Sequence, residues 1–264
     1  MPSAYTAVAV GLAAGVLSGM FGVGGGVVTT PAIRLLFDAP ALIAVGTPLP
    51  IIIPTAAVGA IAYVRRGLAD VRAGATIGAA GAVFSVAGAF LSEIAGGSLV
   101  MYATAALILY MAVDLARHAM SRGSTADGAA AEGSSGSDVP KPPWIHLAGL
   151  GVVTGLYSGF LGLGGGFIVV PLLVRWLRYP MKRAIGTSLV AIALLAVPGT
   201  VAHWTLGHVD AALAGWLTLG VVPGALIGAK LTALAREIHV EIGFAVLLVV
   251  TGAVLALNEA GVFL

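Results

Sequence analysis

Two stretches of this chain hold the residues best suited to chemistry. Ser18, Gly19, Gly22, Gly24, Gly25 and Gly26 recur 140 residues later as Ser158, Gly159, Gly162, Gly164, Gly165 and Gly166. Each stretch interrupts an apolar run and leads directly into another. Neither holds a charged side chain, so the donors available are backbone N–H groups and hydroxyls. A helix that starts after three glycines offers free N–H groups and the positive end of its dipole, and glycine lets an anion approach them closely. Such a pair of helix starts suits a small oxyanion. Ser18, Ser158, Thr29, Thr30, Thr47, Thr187 and Ser188 are the hydroxyls placed to assist.

Other glycines have a plainer reading. Gly11, Gly15 and Gly19 recur every four residues, as do Gly151, Gly155 and Gly159, a spacing that brings helices into close contact. Bond-making chemistry finds little support. The eleven acidic residues lie in loops or at segment ends, the five histidines form no ligand pattern, and there is no cysteine. The G-x-G-x-x-G spacing is not met and no P-loop lysine follows the glycines. No cofactor and no metal are therefore expected, and the chain is not read as an enzyme.

The elements that must position these loops are membrane segments. Of 264 residues, 59% are hydrophobic and only 9% charged, with mean hydropathy +1.06. A soluble domain carries about 25% charged residues, so this composition calls for a lipid bilayer. The net charge is +2 without a basic stripe, which argues against nucleic acid as a partner. The N-terminal apolar run lacks the basic residues of a signal peptide and is read as mature membrane structure.

The offset of 140 also matches Pro31 with Pro171, Pro40 with Pro180, Gly46 and Thr47 with Gly186 and Thr187, Asp70 with Asp210, and Gly88 with Gly228. The chain thus divides into a first transmembrane repeat (1–120), a flexible Gly/Ser/Ala-rich linker (121–143) and a second repeat (144–264). Each repeat shows five apolar segments. The second of each, about eleven residues, rises about 16 Å, roughly half the hydrocarbon thickness.

Charge chooses between two topologies. If segments one and two form one broken helix, the basic residues divide 6 against 7, which orients nothing. If they form a hairpin, crossing or re-entrant, one side holds Arg65, Arg66, Arg72, Arg117, Arg122, Lys141, Arg175, Arg178, Lys182, Arg183, Lys230 and Arg236, and the other only Arg34. The positive-inside rule favours the second. The sequence therefore predicts an all-α polytopic membrane protein of two inverted-topology repeats, each with a mid-membrane glycine break. Both termini are expected outside and the linker in the cytoplasm.

The doubled Ser-Gly-x-x-Gly-x-Gly-Gly-Gly, followed five residues later by Pro31 or Pro171, resembles the sulfite exporter TauE/SafE family, and the Gly-Thr pairs at 46–47 and 186–187 fit it. The resemblance implies a multi-pass permease of the cell inner membrane for a small organosulfur anion such as sulfite, a sulfonate or sulfoacetate. Carried onto this chain, it makes the two glycine loops, Ser18, Ser158, Thr47 and Thr187 the substrate-binding candidates. Pro48, Pro50 and Pro54 face Ser188, Val190 and Leu194 across the repeat, so the halves are not equivalent.

Two functions fit: a secondary transporter working by alternating access, or an anion channel using the same loops as a filter. His203, beside Trp204, reads as a carrier of a coupled proton or as an interfacial histidine. Asp114 and Arg117 are spaced to pair on one helix face, as are Arg34 and Asp38. Assembly into a homo-oligomer is left open.

Overall fold

The apolar runs fold into helices wherever Gly, Pro or Asp does not stop them. The computed structural model describes residues 4–123 and 142–260, and these contain eleven helices and no strand. They are α1 (Ala4–Phe21), α2 (Gly26–Leu36), α3 (Ala41–Gly46), α4 (Pro48–Val64), α5 (Val71–Ala95), α6 (Gly97–Gly123), α7 (Trp144–Leu161), α8 (Gly166–Arg175), α9 (Met181–Thr205), α10 (Ala211–Leu234) and α11 (Glu237–Glu259). Most of the predicted linker and the side chain of Arg117 lie outside the described residues; α6 itself continues to Gly123, three residues into the predicted linker.

Eight helical stretches are long and apolar enough to span a membrane, with α3 and α4 counted as one. The short helices α2 and α8, eleven and ten residues, are the second segments of the two repeats. The third segments differ. Its partner α9 runs unbroken, whereas Ala41–Val64 is interrupted at Thr47, because Pro48 and Pro50 lack the N–H groups that would close the ladder there. Thr47 keeps helical angles, so the direction of the helix survives the break.

Equivalent aspartates start the fourth segments. Asp70 caps α5 by accepting from Ala73 N at 3.0 Å, and Asp210 caps α10 by accepting from Leu213 N at 2.9 Å. Each is then tied to the opposite repeat. The Asp70 N–H donates to Thr187 Oγ1 at 2.9 Å and the Asp210 N–H to Thr47 Oγ1 at 3.0 Å.

Helix packing exchanges elements between the repeats. A Cβ on Gly11, Gly15 or Gly19 would fall against the backbone of Leu217, Val221 or Ala225, so α1 lies on α10 and runs parallel to it. Gly151, Gly155 and Gly159 meet Ile77, Gly81 and Ser85, so α7 lies parallel on α5. The spacing of four residues therefore serves packing, and the backbones touch because no side chain intervenes. Helices α4 and α9 cross the centre in opposite directions, with Gly59 against Leu189 and Gly186 against Tyr63. The two repeats thus interlock and do not form separate bodies.

These contacts fix the two ends of the bundle. At the end where α6 finishes and α7 begins, Arg66 donates to Ala229 O at 2.7 Å, Lys182 to Ala233 O at 3.2 Å, and Tyr179 OH to Asp70 Oδ2 at 3.0 Å. Burial, and then the neighbouring Asp70 carboxylate, raise the Tyr179 phenol above its ordinary range, so it stays a neutral donor. Asp114 pairs here with Arg175 of the second repeat. The opposite end brings Gly97 against Ala41 and Gly46 against His208, and Arg34, in the last turn of α2, donates to Ala39 O at 3.0 Å. All four tryptophans are exposed, as residues of an interfacial belt would be.

Candidate functional site

The two glycine loops meet. A Cβ on Gly26 would lie 2.6 Å from Leu163 O, and one on Gly166 would strike Gly22 O and Val23. Every residue from Phe21 to Val27 and from Leu161 to Phe167 is buried. The ends of α1 and α7 pack on the C-terminal parts of α10 and α5: Thr232 of α10 donates to Met20 O at 2.9 Å, and Gly159 faces Ser85 and Ala89 of α5.

Each loop turns back through glycines with positive φ: Gly22, Gly24 and Gly25 in the first, Gly162, Gly164 and Gly165 in the second. Gly25 (φ 93) and Gly165 (φ 74) are the N-caps of α2 and α8, in a left-handed conformation that other residues adopt at a cost. No side chain caps either helix. Val28 N and Ile168 N bond back to Gly25 O and Gly165 O at 3.0 Å, and the N–H groups before them have no capping side chain.

Ser18 and Ser158 stand beside these N-caps. Ser18 Oγ lies 3.9 Å from the place a Cβ on Gly25 would take, and Ser158 Cβ lies 3.3 Å from the corresponding place on Gly165. Both side chains are completely buried, and both hydroxyls lack a hydrogen-bond partner. Thr30, on the first turns of α2, is in the same condition. Buried polar groups are nearly always satisfied, and leaving one unpaired costs about 1–3 kcal/mol. Ser18 and Ser158 are thus equivalent buried hydroxyls, each unpaired beside an uncapped helix start.

The other predicted hydroxyls are engaged elsewhere. Thr47 and Thr187 accept from the Asp210 and Asp70 amides, at opposite ends of the bundle. Thr29 donates to Gly25 O at 3.1 Å. Ser188 is shared between Gly22 O (2.9 Å) and Ile185 O (2.8 Å), pinning the first loop to α9. Its counterpart Pro48 has no hydroxyl to do the same for the second loop.

The loops also differ in room. A Cβ on Gly25 would find only Ser18 within 4 Å, whereas one on Gly165 would meet Thr154 Cγ2 at 2.6 Å. The residue matching Thr154 is Ala14, so the start of α2 is the more open of the two.

Sequence reasoning passed over Ile52 and Ile192. They are separated by the same offset of 140, are fully buried on α4 and α9, and both press on Gly24 and Gly164. They form an apolar contact against both loops at once. The offset itself held that signal, but isoleucine in an apolar segment does not stand out.

His203 is completely buried at the end of α9, while Trp204 beside it is 55% exposed. Its Nε2 lies 2.7 Å from Gly159 O. The equivalent Tyr63 donates its OH to Gly19 O at 2.9 Å. The same carbonyl is therefore held in each repeat, by a phenol in one and an imidazole in the other. Nothing in the sequence links His203 to His208 and Glu93, which lie beside it. Asp114 pairs with Arg175 across the repeats, a partner that sequence spacing could not supply.

Comparison with known proteins points to a family of membrane transporters. The family profile described as "Sulfite exporter TauE/SafE" matches residues 7–255. The chain is 28% identical over 239 residues to "Probable membrane transporter protein YunE" of Bacillus subtilis, covering 86% of each chain. It is 25% identical over 259 residues to "Probable membrane transporter protein MJ0441" of Methanocaldococcus jannaschii, covering 92% of this chain and 91% of that one. "Probable membrane transporter protein YdhB" of Bacillus subtilis is 27% identical over 226 residues, 85% of this chain and 88% of the relative. No solved structure matches the chain.

Proposed function

We propose that this chain, which belongs to the sulfite exporter TauE/SafE family, is a secondary transporter that holds a small sulfur oxyanion between its two glycine loops. The observation that carries the reading is the pair Ser18 and Ser158, buried and unpartnered beside the uncapped starts of α2 and α8. A sulfite, sulfonate or sulfoacetate-like group presents several acceptor oxygens to such donors. With no cationic side chain at the loops, N–H dipoles and hydroxyls carry the recognition. The open start of α2 is the better seat.

Alternating access follows from an inverted arrangement of the repeats, which the opposed directions of α4 and α9 support. The gathering of basic residues at the end where α6 finishes supports a cytoplasmic linker and external termini. Because α1 is locked to α10 and α7 to α5, the moving units are these cross-repeat pairs, sliding against the central α4 and α9. The contact that must part is that of Ile52 and Ile192 with the loops. This buried apolar contact favours an occluded carrier over an open filter.

The test is a screen of sulfite, sulfoacetate, taurine, thiosulfate and sulfate, first for binding to the purified protein and then for exchange in proteoliposomes. Saturable exchange of at least one sulfur oxyanion is expected. Flux that never saturates and shows no exchange would make the chain a channel; no flux of any of the five would overturn the reading.

A further inference from the structure

Three titratable side chains form a hydrogen-bonded line from the surface to the second glycine loop. Glu93, in the last turn of α5, has a side chain 49% exposed. Its Oε2 lies 2.6 Å from His208 Nε2. His208 Nδ1 lies 3.1 Å from His203 Nδ1, and His203 Nε2 lies 2.7 Å from Gly159 O. Exposure falls along the line, to 5% at His208 and zero at His203. The line ends one residue from Ser158.

Donor counting fixes how many protons the line holds. Gly159 O can only accept, so His203 Nε2 carries a proton. If His203 is neutral, its Nδ1 accepts and His208 Nδ1 must donate. His208 Nε2 then meets Glu93 either as an acceptor from a protonated carboxyl or as the second N–H of an imidazolium. If His203 is the imidazolium, its Nδ1–H donates to His208 Nδ1, and His208 Nε2–H donates to a Glu93 carboxylate. Every arrangement that keeps all three contacts holds one proton more than neutral imidazoles and a carboxylate. That proton has three stations.

We propose that Glu93, His208 and His203 are a proton relay that couples anion movement to a proton, a proposal that rests on the transport reading above. A proton arrives on Glu93 from water. Glu93 O–H passes it to His208 Nε2 while His208 Nδ1–H passes its own to His203 Nδ1. Glu93 is left a carboxylate, His208 neutral and His203 an imidazolium, so charge and protons balance. The positive charge then sits beside the Ser158–Gly166 loop, in a site that has no cation of its own. By linkage the proton and the anion each favour the other's binding.

The repeat supplies the control. At the equivalent places the first repeat has Tyr63, Leu68 and Ala233. Tyr63 makes the matching bond to Gly19 O, and the backbone bonds Leu68 N to Tyr63 O and His208 N to His203 O are both 2.9 Å. The fold thus needs a donor at position 203 but no titratable line. Among the described residues, the other ionisable groups on the elements around His203 lie elsewhere. Asp210 caps α10, Arg72, Tyr63, His146, Arg175, Lys182 and Arg183 are at the far end of the bundle, and Tyr157 is 40% exposed.

Two measurements on the full chain in liposomes test the relay. Histidine 15N NMR across about pH 5 to 9 reads it without a substrate. His203 is expected to change protonation state in the wild type and to stop doing so in E93Q and H208L. Unchanged His203 shifts, in the wild type or between wild type and variants, overturn the relay. Internal pyranine then reports protons moved by a sulfoacetate or sulfite gradient. Coupled proton flux is expected in the wild type and at least a tenfold loss in E93Q and H208L, with anion exchange retained at saturating anion. Anion exchange without proton movement in the wild type, or coupling retained in both variants, overturns the inference and leaves the transport reading standing. A wild type that titrates by NMR yet moves none of the five anions of the screen overturns the transport reading alone. H203Y, built on the Tyr63 geometry, is expected to keep thermal stability near wild type, which separates lost protonation from lost folding.

Discussion

Thr187 Oγ1 accepts a hydrogen bond from the backbone N–H of Asp70 at 2.9 Å, and Thr47 makes the same bond to Asp210 at 3.0 Å. Each threonine anchors the helix start of the opposite repeat, at opposite ends of the bundle. Replacing either by valine keeps the shape and removes the acceptor. A loss of about 1 kcal/mol of stability for each is expected, seen as a lowered Tm in detergent. No shift in either variant would deny these bonds a structural role.

Ser18→Ala and Ser158→Ala carry the opposite signature. Each removes one donor to the anion, so affinity should fall about fivefold, near 1 kcal/mol. Each also removes a buried hydroxyl that has no partner in the unliganded protein. Stability without ligand should therefore hold or rise. Calorimetric binding alongside thermal unfolding separates the two effects, and equal losses in both would place the serines in the packing alone.

Gly26→Ala tests the contact between loops. A methyl there lies 2.6 Å from Leu163 O, a backbone atom that cannot step aside. The loops must part, and transport is expected to drop by about tenfold or more, since even small misplacement of a binding group is costly. Insertion into the membrane should be unaffected. Normal transport by this variant would show that the loops need not touch.

Glycines in helices divide by what faces them. Gly155→Ala would drive a methyl into the Gly81 backbone and separate α7 from α5, with clear loss of folded protein. Gly149 and Gly215 have nothing within 4 Å of a Cβ. Alanine at either is expected to stabilise by about 0.5–1 kcal/mol through helix propensity. Thermal unfolding of the three variants should rank them on both sides of wild type.

The short second segments and the glycine breaks were legible because each is a local rule: a half-length apolar run cannot cross a bilayer, and successive glycines interrupt a helix. The equivalence of the repeats was legible because Pro, Thr and Asp recur at one spacing. Long-range partners were not. Asp114 meets Arg175, sixty-one residues away, and Thr47 and Thr187 brace the opposite repeat, partners that no local spacing announces. Each residue type admits several partners, and only the folded bundle selects one.

What the sequence determined alone is a chain too apolar for water, built twice from one plan, with two helix starts that glycine leaves bare. What tertiary structure decided is which groups meet there. It exchanged α1 and α7 between the repeats, because backbones without side chains pack most closely on each other. It set Ile52 and Ile192 against both loops, left Ser18 and Ser158 without partners, and lined up Glu93, His208 and His203. Periodicity records which face of a helix is buried, but not what another part of the chain brings to that face.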